Sequence, residues 1–207
     1  VEGFLPPEQV IRAGVSRFVV DVERFTEDYR EPMSNVGMGV LYEKTSDGRP
    51  LRRKLSSEER RGLLDKWYFP HHRRLTDAVD RALERFEKAL IIDIHSYPLV
   101  PLGYELSKEA HRPQICIGTD EYHTSAQLAQ TALRIFRELG FETALKNPFS
   151  GTIVPAAHYR KDPRVSSIMI EIRRDTYMDE GKGKRGTNFF EMRGMLNRAL
   201  EELRETH

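Results

Sequence analysis

The chain has 207 residues, which is enough for one domain with a substantial hydrophobic core, so a second domain is not required. Basic and acidic residues nearly cancel to a net charge of +1, which predicts no binding to nucleic acid or to an anionic membrane. The single cysteine, Cys116, excludes an internal disulfide framework. Without a transmembrane stretch or a signal-peptide pattern at the start, we expect a cytoplasmic protein.

Predicted strands and helices alternate along the chain, which indicates an α/β layered fold. Runs of β-branched and aliphatic residues predict strands at Arg17–Val22, Val36–Tyr42, Ala89–Ile94, Gln114–Ile117, Glu142–Leu145 and Ser167–Ile172. Apolar residues at three- and four-residue steps predict helices from His72 to Phe86, from an N-cap at Ser125 to a stop at Gly140, and from Phe189 to Leu203. Two charged segments, Thr45–Ser57 and Thr176–Gly186, are typical of long surface loops.

The first predicted strand carries charged residues among apolar ones. Arg17, Asp21 and Arg24 lie in or just after a stretch dominated by Phe18 and valines. Charges buried in such a stretch need partners, so Asp21 is expected to pair with an arginine as a structural element. Alternatively, the guanidinium group of Arg24 binds the carboxylate of a ligand. The residues themselves leave both interpretations open.

A histidine follows the most apolar strand. Ala89–Ile92 is typical of a strand buried on both faces, and such sheets carry functional residues just past the carboxyl ends of their strands. Asp93 and His95 share one face because side chains alternate along a strand. An imidazole in this position suits a metal ligand or a general base. The alternative is a core histidine bonded to a neighbouring carbonyl group.

A single glutamate interrupts the last predicted strand. Glu171 stands among Ile168, Ile170 and Ile172, where a carboxylate is costly to bury. Burial raises the pKa of a carboxyl group toward the range of a general base, whereas pairing with Arg173 or Arg174 would oppose this effect. Glu171 is therefore a candidate catalytic residue.

Three other features are candidates for ligand binding. The turn-rich segment Asn147–Pro155 follows a predicted strand and suits backbone contacts with a ligand, although it equally suits a plain connection. His72 and His123 are the histidines best placed for a pocket, and surface or capping roles are the alternatives. Cys116 lies in an apolar run and is expected to serve packing.

Six short segments, taken in order, resemble the N-formylglutamate amidohydrolase family of zinc hydrolases, whose fold is related to that of the zinc carboxypeptidases. The segments are Ser16–Arg24, Tyr68–His72, Asp93–Ser96, Gly118–Asp120, Asn147–Gly151 and Ile170–Asp179. The resemblance implies a three-layer α/β/α fold with a mixed sheet, of the phosphorylase/hydrolase-like kind. It also implies cleavage of N-formylglutamate to formate and glutamate, a role in histidine degradation, and one zinc ion per site.

The resemblance also implies roles for individual residues. His95, in a His-Ser-Tyr context, resembles the third zinc ligand of the carboxypeptidases, and Glu171 resembles their general base. Arg24 resembles the arginine of an Asp-x-Asn-Arg motif that binds the substrate carboxylate, with Arg17 as its helper. Glu23 replaces the asparagine of that motif. His72, Asn147 and Gly151 complete the expected substrate-binding residues.

The family's first zinc ligands, a histidine and a carboxylate near the N-terminus, have no counterpart in this sequence. We therefore expect those ligands upstream of Val1, in a domain that begins before this chain does, unless His72 or His123 is recruited. Two other functions remain open: a carboxypeptidase-like peptidase or other N-acyl amino acid deacylase, and a non-enzymatic binder of a carboxylate ligand. The sequence does not predict an oligomeric state.

Overall fold

A computed structural model describes residues 5–105, 109 and 111–207 of the chain. These residues fall into two compact units. Residues 5–6, 79–101, 109 and 111–207 form the sheet unit, and residues 7–78 and 102–105 form the loop-rich unit. The single-domain organisation expected from the sequence stays a prediction.

The sheet unit contains most of the regular structure. The helices of the chain are α1 (Ser57–Leu63), α2 (Phe69–Phe86), α3 (Ala126–Glu138) and α4 (Phe189–Thr206). The strands are β1 (Ala89–Tyr97), β2 (Ile115–Gly118), β3 (Thr143–Leu145), β4 (Val165–Arg173), β5 (Met178–Asp179) and β6 (Lys184–Arg185). Short 3₁₀ turns occur at Pro7–Gln9, Asp28–Arg30, Pro32–Val36 and Arg174–Thr176, and a π-helical turn at Leu64–Tyr68 precedes α2.

Four strands form a mixed sheet in the order β1-β4-β2-β3. Strand β1 runs parallel to β4, β2 runs antiparallel to β4, and β3 runs parallel to β2. The last two strands, β5 and β6, form a separate hairpin within the segment expected to be a long loop. This arrangement confirms the predicted α/β class with a mixed sheet.

Helices of the sheet unit cover both faces of this sheet. On one face, α3 and α4 pack against the isoleucines of β2 and β4. On the other face, Val79 and Leu83 of α2 pack against Ala89 and Val165. Because side chains alternate along a strand, the second face also carries Asp93 and His95 of β1 and Glu171 of β4. Helix, sheet and helix therefore form three layers in this unit.

The helix boundaries follow the signals in the sequence. The hydroxyl group of Ser125 accepts a hydrogen bond from the backbone N–H of Leu128 at 3.1 Å and caps α3 as predicted. Gly140 follows the helix with a φ angle of +88°, in the left-handed region that favours glycine. No helix within the described residues is long and apolar enough to cross a membrane.

The strands predicted at Arg17–Val22 and Val36–Tyr42 are wrong, and local hydrogen bonds fold the first of these segments into turns. The carbonyl group of Ser16 accepts from the N–H groups of Val19 and Val20, and the Asp21 carboxylate accepts from Glu23 N–H. Side chains and carbonyl groups that bond to nearby backbone compete with strand ladders. Apolar residues of both segments are nevertheless buried. Val20, Val22, Val40 and Leu41 form a small core with Leu64 in the loop-rich unit.

Candidate active site

Three titratable side chains lie side by side on the polar face of the sheet. His95 of β1 is the register partner of Glu171 in β4, and Glu171 is in turn the register partner of Cys116 in β2. Register partners on neighbouring strands project on the same side of a sheet. The sheet thus brings together the two residues that the sequence singled out for chemistry, from positions 76 residues apart (171 − 95).

Asp93 fixes the imidazole ring of His95. Its Oδ1 atom lies 2.9 Å from Nε2 of His95, and its Oδ2 atom accepts a hydrogen bond from the backbone N–H of Ile153 at 3.3 Å. Asp93 is 9% exposed and the His95 side chain 18% exposed, so both remain within reach of solvent. A carboxylate that binds one ring nitrogen orients the other nitrogen toward a metal ion or a proton donor.

Glu171 is a buried acid, at 8% exposure, in the middle of β4. The two arginines expected to oppose its basicity bind other groups. Arg173 forms an ion pair with Asp175 at 2.7 Å, and Arg174 donates a hydrogen bond to the hydroxyl group of Ser96 at 3.2 Å. Glu171 lies beside His95 in the sheet, and its role as general base stays a prediction.

The thiol of Cys116 is held in its neutral form. Burial, with a smaller contribution from the charge of Glu171, raises the pKa of the thiol to about 11. Its Sγ atom donates a hydrogen bond to the carbonyl oxygen of Phe149 at 3.2 Å. A thiol that stays protonated near neutral pH is a poor nucleophile, which supports a packing role.

The segment Asn147–Pro155 lies against the same face of the sheet. The Asn147 side chain donates a hydrogen bond to Glu109 at 3.2 Å, and Gly151 N–H donates to the carbonyl oxygen of Thr119 at 3.3 Å. The next residue, Thr152, shares a hydrogen bond with the hydroxyl group of Ser167 at 2.7 Å. Substrate binding by Asn147 and Gly151 stays a prediction, but their segment contacts Asp93 through Ile153.

His123 is not available as a metal ligand, because both of its ring nitrogens already have backbone partners. Nδ1 lies 2.7 Å from the carbonyl oxygen of Val165, and Nε2 accepts a hydrogen bond from Arg160 N–H at 2.8 Å. The ring is buried, at 2% exposure. His123 is therefore a buried histidine that links backbone segments, and the surface role considered for it is wrong.

A buried arginine near this site had no signal in the sequence. Arg112 is 2% exposed, and its guanidinium group lies 4.7 Å from the ring centroid of Tyr97 and 5.4 Å from that of Phe149. It also donates a hydrogen bond to the carbonyl oxygen of Pro98 at 3.0 Å. An arginine within a loop sequence is usually exposed, so only the tertiary structure reveals this one.

In the loop-rich unit, Asp21 holds the two arginines expected to bind substrate. Its Oδ2 atom lies 3.5 Å from Nε of Arg24 and 4.0 Å from Nε of Arg17, and accepts a hydrogen bond from the Tyr42 hydroxyl group at 2.7 Å. Burial lowers the pKa of Arg24, but the charges of Asp21, Tyr42 and Glu31 together more than offset this, so the net shift is upward. The structural pairing predicted for Asp21 is present, and Arg24 remains a cation.

His72 supports the segment that carries Arg24. Its Nε2 atom lies 2.8 Å from the carbonyl oxygen of Val22, and its ring stacks on Tyr68 with centroids 4.2 Å apart. The Tyr68 hydroxyl group donates a hydrogen bond to the carbonyl oxygen of Arg24 at 2.9 Å. A direct substrate contact of His72 stays a prediction, whereas its bond to Val22 fixes the local backbone.

Burial lowers the pKa of His72, which makes a prediction about pH and stability. The unfolded chain binds a proton at His72 near the ordinary pKa of about 6.5, whereas the folded chain does so only at lower pH. The free energy of unfolding should therefore fall as the pH decreases below about 6.5. In His72→Gln, which keeps a donor for the Val22 carbonyl group, urea denaturation between pH 5 and 8 should show a smaller fall. If the free energy of unfolding of His72→Gln fell with pH as steeply as that of the wild type, the prediction would be wrong. The control is His111→Gln, at an exposed histidine, which should behave like the wild type.

The donors of the sheet unit suit a divalent metal ion such as zinc. An imidazole nitrogen oriented by a carboxylate is a common zinc ligand, and the carboxylate oxygen is itself a possible ligand. A catalytic zinc site generally takes three protein ligands and a water molecule. The further ligands expected upstream of Val1 stay a prediction.

Known proteins resemble this chain in sequence and in fold. A family model for N-formylglutamate amidohydrolase matches residues 5–178. The N-formylglutamate deformylase of Pseudomonas putida is 28% identical over 178 residues, which cover 83% of this chain and 64% of that protein. This chain thus spans less than two thirds of the length of its curated relative.

Two solved structures share the fold. The N-formylglutamate amidohydrolase of Ralstonia eutropha superposes with a TM-score of 0.75 and 26% identity, covering 89% of this chain and 71% of that one. A gene product of Agrobacterium tumefaciens, at 19% identity and a TM-score of 0.64 over 92% of this chain and 68% of that one, supports the fold alone. The resemblance inferred from the six segments is confirmed, and the chain belongs to the N-formylglutamate amidohydrolase family.

Proposed function

We propose that this protein is a zinc-dependent amidohydrolase that cleaves N-formylglutamate, with one water molecule, to formate and glutamate. The observation that carries the proposal is the register of His95 with Glu171, together with the bond by which Asp93 orients His95. A metal-ligating imidazole beside a buried carboxylate is the arrangement that metal-assisted hydrolysis of an amide requires. Family membership supports the substrate class.

His95 would hold the metal ion, and Asp93 would fix the orientation of its ring. A bound zinc ion would polarise the amide carbonyl group and lower the pKa of a water molecule. Such a ligand is conformationally restricted before the metal binds, because the Asp93 carboxylate is itself held by the backbone N–H of Ile153. The ordering cost at metal binding is correspondingly smaller.

Glu171 would act as the general base. Its carboxylate would accept a proton from the attacking water molecule as the new carbon–oxygen bond forms. The glutamate nitrogen needs a proton when the carbon–nitrogen bond breaks, and the protonated Glu171 would return one to it. One carboxyl group would thus serve both proton transfers, and it would be regenerated at the end of each turnover.

Arg24 would bind a carboxylate of the substrate, with Arg17 raising the local positive charge. The support for this role is the family motif and the surroundings of Arg24 within its own unit. The Arg24 side chain keeps a quarter of its surface exposed, and its Nε atom lies 3.5 Å from Asp21. A planar guanidinium group suits bidentate binding of a carboxylate.

Release of formate tests the proposal. Protein freed of metal with a chelator and then supplied with zinc should release formate from N-formylglutamate, and much less acid from N-acetylglutamate or a dipeptide ending in glutamate. Zinc-restored protein that cleaves the dipeptide but not the formyl compound would indicate a peptidase. Binding of N-formylglutamate without any turnover, with or without zinc, would indicate a carboxylate-binding protein and contradict the hydrolase.

A further inference from the structure

Gly118, the last residue of β2, lies where no other residue fits. A Cβ atom at this position would stand 2.5 Å from the carbonyl oxygen of Gly151 and 2.4 Å from Cε of Met169. Cε ends a flexible side chain and can move at little cost. The Gly151 oxygen belongs to the backbone, so any side chain at position 118 would displace the segment Asn147–Pro155.

Hydrogen bonds at the backbone of that segment hold it close to the sheet. Gly151 adopts a φ angle of +91°, and its N–H group bonds to Thr119 O. Two residues later, Ile153 is held at both polar groups of its backbone. Its carbonyl oxygen accepts a hydrogen bond from the Ser167 hydroxyl group at 2.8 Å, and its N–H group donates to Asp93 at 3.3 Å.

The contact with Asp93 reaches His95. A neutral imidazole carries hydrogen on one nitrogen only, and a carboxylate next to Nε2 favours the form with hydrogen on that atom. The lone pair then lies on Nδ1. If Asp93 lost its backbone donor, its carboxylate could rotate, and the preference between the two imidazole tautomers would weaken.

We propose that Gly118 is a positioning residue for His95: it lets the segment Asn147–Pro155 approach the sheet so that Ile153 N–H holds Asp93, and Asp93 fixes the tautomer and ring orientation of His95. The chain of contacts runs from β2 through the segment to β1. Its consequence for metal binding rests on the proposed function, whereas its consequence for the tautomer does not.

Gly118→Ala tests the proposal in the metal-free protein. Long-range ¹H–¹⁵N spectra of ¹⁵N-histidine-labelled protein report which ring nitrogen carries hydrogen, and His95→Gln identifies the signals of His95. The wild type should show hydrogen on Nε2, and Gly118→Ala should show a mixture of both tautomers together with faster hydrogen exchange at Ile153 N–H. An unchanged tautomer in folded Gly118→Ala would overturn the proposal.

Two controls separate this effect from general damage. Gly62→Ala adds a methyl group in helix α1, where nothing lies within 4 Å, and should leave the His95 signals unchanged. Met169→Ala removes the flexible neighbour, and the double variant Gly118→Ala/Met169→Ala should retain the mixed tautomers because the Gly151 oxygen remains in the way. Recovery of the wild-type tautomer in the double variant would assign the effect to Met169 and contradict the proposal.

Zinc affinity extends the test to the proposed function. Competition with a chromophoric chelator should show Gly118→Ala binding zinc about 10- to 100-fold more weakly than the wild type, the usual effect of losing a group that orients a metal ligand. A wild type that binds no zinc would contradict the proposed function. The tautomer measurement in the metal-free protein would still decide whether Gly118 positions His95.

Discussion

Glu171→Gln is expected to slow the release of formate from N-formylglutamate by about 100- to 10,000-fold, the usual contribution of a general base. Glutamine has nearly the shape of glutamate but cannot accept the proton of the attacking water molecule. The loss should fall on kcat, while KM and zinc affinity change little, since Glu171 is proposed to act on the proton alone. Steady-state kinetics of the zinc-restored protein provide the measurement.

The matched control is Glu84→Gln, an exposed acid on α2, which should keep full activity. Glu171→Asp, with a shorter carboxylate, should retain more activity than Glu171→Gln because it still carries a base. If Glu171→Gln, with its fold verified by circular dichroism, keeps more than a tenth of the wild-type kcat, Glu171 is not the general base.

The parts of the fold and site that depend on local pattern are predictable. Runs of β-branched and aliphatic residues predicted β1 and β4, because both strands are covered by helices. The two-residue period also placed Asp93 and His95 on one face, where their side chains meet. Glu171 stood out because a carboxylate in an apolar strand is costly to bury.

The parts of the fold and site that depend on long-range contacts are not predictable from the sequence. Ile153 has an apolar side chain, and the residues next to it in the sequence do not predict that its backbone N–H binds Asp93, which lies 60 residues earlier. Gly118 resembles an ordinary strand end, and only the path of a distant segment explains why a side chain is excluded there. The error at Arg17–Val22 has a different origin, because the bonds that replace a strand ladder there are local and form between polar groups that apolar periodicity does not record.

Asp21→Asn should lower the free energy of unfolding by about 3 kcal/mol, at the lower end of the range for breaking a buried ion pair. Asp21 is 1% exposed, and it is the counter-charge of Arg24, three quarters of whose side chain is buried. Asparagine has one acceptor oxygen, so it can replace the hydrogen bond from Tyr42 or the one from Glu23 N–H but not both, and the loss combines the charge with one hydrogen bond. Arg24 would then remain a largely buried cation with its nearest carboxylate removed. Urea denaturation at neutral pH measures the change.

Asp47→Asn is the control, because Asp47 also pairs with an arginine but on the surface. Its carboxylate lies 2.7 Å from Nε of Arg49, and water reaches more than half of both side chains. Solvent screens such a pair, so its loss should hardly change the denaturation midpoint. If Asp21→Asn costs no more than Asp47→Asn, burial does not strengthen the Asp21–Arg24 pair. Under the proposed function, KM for N-formylglutamate should also rise in Asp21→Asn with little change in kcat, because Arg24 would lose the carboxylate that holds it.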